Sequence, residues 1–449
     1  MKNHHRRRFL WAATGAAAAT AAGATLTTGR VAVASPFVSI KRKILPKNTQ
    51  HPRVVIVGGS WGGLTAARYL REQAPEVEVV VLERNPVFWS CPMSNQWLAD
   101  VVDSDFIMHD LNRPANRYGY ALVQADVFAI DREQRQVQSS RGVLDYDYLI
   151  LAGGIRNAYE EWFGEDSRAA EYTRRHFPAA YISNNEHVLL KKKLRAFKGG
   201  NFVMTLPPPP HRCPPSPYER ACTIAWYFKT HNIPGKVIVL DPKPRINPIN
   251  GGFSDAFTEL YGDVLQYVPN AEVREVDPFK QRISTTAGDF DFEDAALMPP
   301  HQAADIVWQA DLIRRHPETG PAWWGNQHPT LLHAEDDDRV YLVGDCMGDV
   351  SPTFGHYPKS AHVANKMGHI AAGYIADRIK GKEPTPILPD NLCYMMIQPD
   401  PLKVVAVEFD YAFGADGHIH QTQVDIDTPF PELVAESFDW ARSTWGDFL

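Results

Sequence analysis

Five cysteines in 449 residues cannot staple a fold of this length, so a disulfide-dense scaffold is excluded and each thiol has to be read on its own chemistry. The chain has no Cys-x-x-Cys-His run and so attaches no c-type haem itself. Positive charge is also short. Against 53 acids stand 46 lysines and arginines, leaving a formal charge of −7, which points away from a nucleic-acid partner. The weakly apolar stretch from Phe9 to about Val33 is broken by Thr14, Gly15, Thr20, Gly23, Thr25, Thr27 and Thr28. It is too polar and too short for a bilayer core, and no integral membrane contact is expected. What is present, 44% apolar and 22% charged residues, is ordinary soluble composition and excludes a mostly disordered or collagen-like chain. The length predicts two or three domains with large cores.

Arg6-Arg7-Arg8-Phe9-Leu10 open that stretch, and Ala32-Val33-Ala34 fits the small-x-small cleavage rule. The pattern predicts a twin-arginine export signal over residues 1–34 and a periplasmic protein. Cleavage after Ala34 removes five cations and no acid, taking the formal charge from −7 to −12, which suits a basic partner. Residues 35–52, with Lys41-Arg42-Lys43, read as a basic tether without periodicity.

The run Arg53–Val57 leads into Gly58-Gly59-Ser60-Trp61-Gly62-Gly63, and Leu64–Gln73 has helical spacing. A strand, a glycine turn and a helix N-terminus form an anion site, because backbone N–H groups and the helix dipole point at a pyrophosphate. The next apolar run, Val77–Leu82, ends at Glu83, twenty residues after Gly63, where an acid can bind ribose hydroxyls. Ser60 replaces the middle glycine of the fingerprint and is small enough to be tolerated. Arg339–Val343 followed by Gly344-Asp345 reads as a strand returning late to the same domain, with the aspartate placed for a ribityl chain. Asp145–Leu151 followed by Ala152-Gly153-Gly154 reads as the strand-to-glycine exit from it. These elements in this order point to FAD rather than NAD.

Asn201–Leu206 and Lys236–Leu240 read as the first two strands of a second nucleotide-type domain. Where a glycine loop would follow the first of them, the prolines Pro207, Pro208, Pro209 and Pro210 follow instead. Proline has no N–H to donate and its φ is fixed, so this loop cannot cradle a pyrophosphate, which argues against NAD(P)H as electron donor. The loop continues from His211 to Arg220, either as a rigid platform for Cys213 or as a solvent-side linker with an incidental thiol. The expected fold is α/β with two Rossmann-like nucleotide-binding-type domains and a small α+β C-terminal domain. Residues 53–160 and 301–385 would build the FAD-binding domain, 161–300 a central domain without an NAD site, and 386–449 the C-terminal domain.

Three segments carry a closer likeness: Trp89-Ser90-Cys91-Pro92-Met93-Ser94-Asn95, Arg212-Cys213-Pro214-Pro215-Ser216-Pro217-Tyr218-Glu219-Arg220-Ala221, and Asn391-Leu392-Cys393-Tyr394. On these, from about Arg53 to the C-terminus, the chain resembles the flavoprotein subunit of flavocytochrome c sulfide dehydrogenase, a relative of sulfide:quinone oxidoreductases and disulfide reductases. The resemblance implies FAD bound covalently through Cys91, a Cys213–Cys393 disulfide over the flavin, and haem carried on a separate cytochrome subunit, giving a heterodimer. Cys222 and Cys346 match no motif position and read as buried free thiols. A hydrosulfide ion would attack the disulfide, leaving a persulfide and a thiolate. The flavin would then take two electrons together and pass them singly to haem. Glu219 reads either as a proton acceptor beside the disulfide or as the ion-pair partner of Arg220 or Arg212. Lys359, at the start of an expected helix over about Ser360–Ile379, faces the flavin or is solvated, and His356 is a weaker candidate. The chain's expected activity is therefore periplasmic sulfide oxidation to zero-valent sulfur with a c-type cytochrome as acceptor. Its alternatives are a sulfide:quinone oxidoreductase or a non-catalytic flavoprotein accessory. Phe438, Trp440, Trp445 and Phe448 lie close to helical spacing and read as core packing.

Overall fold

The structure, a computed structural model, describes residues 42–47, 50–182, 185–316, 318 and 320–449; the export signal expected over residues 1–34 lies outside them. Strand Arg53–Val57 is buried at every position and sits inside a six-stranded sheet. The order is His333–Ala334, Asp337–Leu342, Tyr148–Leu151, Arg53–Val57, Glu78–Glu83, Ala121–Gln124. All but the first of these run parallel. Parallel strands covered on both faces need near-continuous apolar sequence, which Val54–Val57 and Val79–Leu82 supply. Helix Trp61–Gln73 leaves the first strand and packs along helix Ala361–Ile379. The second helix is capped by Ser360, whose hydroxyl accepts the Val363 N–H at 3.1 Å.

A second, four-stranded parallel sheet has the order Leu265–Val268, Gly235–Leu240, Gly200–Thr205, Asp294–Ala296. Helix Ser216–Thr230 is the crossover between its two central strands. The chain passes to this sheet through Ile155–Asn157 and returns through His301–Ala303, and the two segments pair antiparallel. The architecture is thus the doubly nucleotide-type α/β fold expected.

Three antiparallel strands follow, Asn391–Pro399, Leu402–Phe413 and Ile419–Ile426. Their alternation divides the residues between two faces. Met395, Ile397, Val405 and Val407 enter the core of the second sheet, and Val404 and Ala406 pack on Leu433 of helix Pro431–Phe448. At the far end of that helix Trp445 and Phe448 are buried against Trp61 and Phe88, so the aromatic helix joins the first core.

Residues 42–47 depart from the expected tether. The Val143 N–H donates to the Arg42 carbonyl at 2.9 Å and the Ile44 N–H to the Val143 carbonyl at 3.0 Å. Lys43 pairs with Asp145, and Lys47 with Asp147 at 2.7 Å. The buried Arg53 guanidinium donates to the Pro46 carbonyl at 2.6 Å. Lys43 and Lys47 are thus held by acids on either side of Tyr146. Backbone pairing this short has no periodicity to reveal it.

Candidate functional site

One cavity of about 780 Å³ collects residues from the first sheet and its turns, from the loop and helix that follow strand Gly200–Thr205, and from strand Asn391–Pro399. At one end is the first glycine turn. Gly58 has φ +112°, and a Cβ there would lie 2.4 Å from the Ala152 carbonyl oxygen, so only glycine lets the two strand ends meet. Ser60, Ala152, Gly153, Gly344 and Asp345 line the same cavity. Gly63 does not, contrary to its expected place among the cofactor contacts: a Cβ there would lie 1.9 Å from the Gly58 carbonyl oxygen. Its absent side chain serves the close packing of helix on strand. Glu83 accepts the Gly59 N–H at 2.6 Å on Oε2, and the Asn85 N–H and Nδ2 at 2.7 and 2.8 Å on Oε1, leaving Oε2 a further lone pair for a ligand hydroxyl.

Asp345 accepts from the Arg212 Nε at 2.6 Å through Oδ2, while its buried Oδ1 has no partner. Trp61 Nε1, Trp89 Nε1, the Tyr181 hydroxyl and both ring nitrogens of His187 are likewise buried and unpartnered, and all four residues line this cavity. Unsatisfied buried polar atoms are rare. Their gathering around one cavity, behind a glycine turn at a helix N-terminus, fits a long ligand with polar groups along its length, as FAD is.

At the other end the three motif cysteines come together. Cys91, Cys213 and Cys393 all line the cavity, although they lie far apart in the chain. All five cysteines are free thiols, so the Cys213–Cys393 disulfide is not formed in this structure. Cys213 has φ +47°, and its N–H donates to the Lys359 carbonyl at 2.8 Å. Burial, with Cys393 and then Glu219 adding to it, pushes the Cys213 thiol well up. Cys393 is pushed up to about 11, again chiefly by burial. Cys222 and Cys346 are fully buried and do not line the cavity.

Glu219, 7% exposed, has neither of the ion pairs considered for it: among the described residues no salt bridge joins it to Arg220 or Arg212. Its Oε2 accepts from Asn95 Nδ2 at 2.6 Å, and its Oε1 from the Met396 N–H at 2.9 Å and from Gln96 Nε2 at 3.3 Å. Arg220 donates to the Asn95 side-chain oxygen at 3.2 Å and to the Ala179 and Ala180 carbonyls at 2.8 and 2.9 Å. The Asn95 amide therefore stands between acid and guanidinium. Burial outweighs these donors and raises the Glu219 carboxyl to about 7. Asn95 follows Cys91, Met396 follows Cys393 and Glu219 follows Cys213, so one carboxylate ties together the three cysteine-bearing segments.

Lys359 is buried, not solvated. Its Nζ donates to the Asp345 and Met347 carbonyls at 2.8 and 2.7 Å and lies 3.6 Å from the Trp324 ring centre. Burial lowers it to about 8. His356 does not line the cavity and faces Asp349 at 3.5 Å. Sequence reasoning missed Asn95, Tyr181 and His187, and gave Arg212 no role beyond a pairing with Glu219. Arg212 and Asn95 stand inside the quoted motifs, whereas Tyr181 and His187 carry no local signal.

Residues 187–298 match the family described as the central domain of the sulfide dehydrogenase [flavocytochrome c] flavoprotein chain, and residues 52–188 match pyridine nucleotide-disulphide oxidoreductases. The mitochondrial sulfide:quinone oxidoreductase of Mus musculus is 24% identical over 314 residues, 66% of each chain. That is just under two thirds of the mouse protein's length. A type II NADH:quinone oxidoreductase of Staphylococcus saprophyticus is 25% identical over 367 residues, 74% of this chain and 83% of that protein. Among solved structures, the sulfide:quinone oxidoreductase of Aquifex aeolicus superposes with a TM-score of 0.65 at 16% identity, covering 88% of this chain and 91% of that one. A NAD-dependent persulfide reductase from A. fulgidus gives 0.59 at 16% identity, over 81% of this chain and 65% of its own. In its fold and its two matched domains the chain is similar to the flavoprotein oxidoreductases that include the flavocytochrome c sulfide dehydrogenase flavoprotein chain and the sulfide:quinone oxidoreductases.

Proposed function

We propose that the protein is an exported, periplasmic sulfide dehydrogenase that oxidises sulfide to zero-valent sulfur through a Cys213–Cys393 disulfide. Its FAD is bound covalently at Cys91, and its electrons go to a c-type cytochrome, as a separate subunit or a soluble partner. The observation that carries this reading is the convergence of Cys91, Cys213 and Cys393 on the cavity that begins at the glycine turn. FAD, when bound, supplies the capacity to accept an electron pair and return the electrons singly.

The residues of the chain divide the remaining work. Gly58, Ser60 and the N-terminus of helix Trp61–Gln73 receive the pyrophosphate, Glu83 a ribose and Asp345 the ribityl chain. Hydrosulfide attacks one sulfur of the disulfide, breaking the S–S bond and leaving a persulfide on one cysteine and a thiolate on the other. Burial that raises both thiols makes the released thiolate a strong electron donor. Glu219, raised to about 7, takes up and returns the proton of the incoming sulfur nucleophile. Beyond the cavity, Trp440 lines its wall and stacks on His362 with ring centres 6.1 Å apart. The exposed acids Glu408 and Glu436 act on Tyr394, whose ring lies 6.2 Å from that of Trp440, and their charge supports a cationic acceptor, since complementary charge raises the encounter rate.

Anaerobic stopped-flow with sulfide and a set of cytochromes and soluble quinones tests the proposal. Sulfide should bleach the flavin, a basic cytochrome c should restore its colour faster at low ionic strength, and Cys213→Ser should abolish the bleaching. Bleaching that persists in Cys213→Ser would sink the disulfide route, and reoxidation by quinones alone would reassign the acceptor.

A further inference from the structure

His187 stands in the cavity without an assignment. It is 3% exposed, neither ring nitrogen has a partner, and it lines the cavity together with Cys91, Trp89, Tyr181, Arg212 and Arg220. Its ring leans on Trp89 with centres 5.7 Å apart, two residues before Cys91. The Cys91 thiol donates to the Tyr181 carbonyl at 3.8 Å, and Arg212 Nη1 donates to the same oxygen at 2.8 Å. Arg220 lies over the Tyr181 ring at 4.9 Å. Both guanidiniums act on both groups. They pull the Cys91 thiol down against a burial that raises it, and they add to the burial that keeps the His187 imidazole neutral. The same pair of cations thus offsets part of the burial that holds Cys91 as a thiol and helps keep His187 a proton-accepting imidazole.

We infer that His187 is the base for covalent attachment of the flavin at Cys91, so that this end of the cavity catalyses the chain's own modification. The inference rests on the reading that FAD is joined to Cys91. Attachment forms one bond from Cys91 Sγ to the 8α carbon of the ring system and breaks the S–H bond and one C–H bond of that methyl group. Two protons leave, His187 accepting the one from carbon, and two electrons remain on the ring. Dioxygen is the oxidant, taking the two electrons and two protons as hydrogen peroxide. A neutral imidazole at a dry site is the group for this step: the two arginines are permanently protonated, and Glu219 is bound to Asn95, Gln96 and Met396.

The test follows attachment by acid precipitation and intact mass, apart from turnover. Wild type, His187→Gln and His187→Ala are loaded with FAD in air, native flavin absorbance reports binding, and acid-stable flavin reports the bond. Wild type should keep its flavin through acid. His187→Gln should bind FAD but attach it roughly 10²-fold more slowly, the lower range for losing a general base. Added imidazole should restore attachment in His187→Ala. Attachment at the wild-type rate in both variants overturns the role of His187 and leaves the Cys91 reading standing. Loss of all flavin from acid-treated wild type overturns both. If His187→Gln binds no FAD, the imidazole arm decides: binding restored without attachment counts against the inference.

Discussion

The two strand–turn–helix units of this chain begin alike and end differently. In the first, Arg53–Val57 opens through Gly58 and Gly59 into a helix whose N-terminus faces the cavity. In the second, Gly200–Thr205 opens through Pro207–Pro210, and the helix Ser216–Thr230 that follows sends Ser216, Glu219 and Arg220 into the cavity of the first unit. The first turn keeps its N–H groups for a ligand. The second has prolines where those donors would be and Cys213 in the same loop, so a unit of cofactor-binding type forms a wall that carries Cys213 and Glu219 into the cavity. Identical topology therefore says little about which unit binds a nucleotide. The turn residues decide it.

The largest effect expected from this contrast lies at Gly58. Gly58→Ala would drive a Cβ to 2.4 Å from the Ala152 carbonyl oxygen at φ +112°, and relieving the clash costs about 1–3 kcal/mol in a packed site. The variant should fold, since Gly58 is only half-buried and this cost is small for a chain of this size, but should purify without flavin. Far-ultraviolet circular dichroism and the flavin absorbance of the purified protein check this. A yellow Gly58→Ala variant would mean that the glycine turn is not the cradle.

An effect of intermediate size is expected at Glu219, which belongs to the second unit. Its carboxyl is held near 7 by burial, so the acceptor form is lost as pH falls through about 7. Sulfide-dependent flavin reduction should show that limb in wild type. Glu219→Gln should lose it, retaining only the ionisation of sulfide, with a rate at pH 8 lowered roughly 10²-fold. Stability provides a second readout. The native state binds this proton more tightly than the unfolded chain, so the stabilisation is complete below the ordinary value of 4.5 and is lost as pH rises to about 7. Glu219→Gln should flatten that slope in denaturant titrations across the window. A slope unchanged by the substitution would show that Glu219 is not the titrating group.

The contrast also marks how far sequence can be read. Gly58, Glu83, Asp345 and the proline loop declare themselves because each sits at a fixed offset from a strand end, where backbone geometry leaves few choices. Motif resemblance singled out Cys91, Cys213 and Cys393; in the structure they line one cavity as free thiols. What sequence could not show is contact between distant segments. Glu219 reads equally as a proton acceptor or as the partner of Arg220 or Arg212; its bonds run to Asn95, 124 residues away, and to Met396, 177 away. His187 sits on a lysine-rich helix, Asn185–Ala196, whose pattern gives no hint that one face closes a cavity. Gly63 was misplaced because the fingerprint groups glycines that bind with glycines that pack.

The smallest effect is expected at Pro208, and it bears most directly on the contrast. Pro208 is exposed, so Pro208→Gly adds one backbone N–H to the second turn and removes no buried contact. Its cost should be about 0.4–1 kcal/mol, arising from the freer unfolded chain. NADH should leave the flavin oxidised in wild type and in the variant alike. One restored donor does not rebuild the site, because Pro207, Pro209 and Pro210 still withhold theirs and the N-terminal turn of the following helix is already committed to the flavin cavity through Ser216 and Glu219. The Glu219 carboxylate, where ionised, would also repel a pyrophosphate brought to that turn. Rapid flavin bleaching by NADH in Pro208→Gly would show that the prolines alone hold the nicotinamide cofactor out. Bleaching in wild type would remove the distinction between the two units altogether.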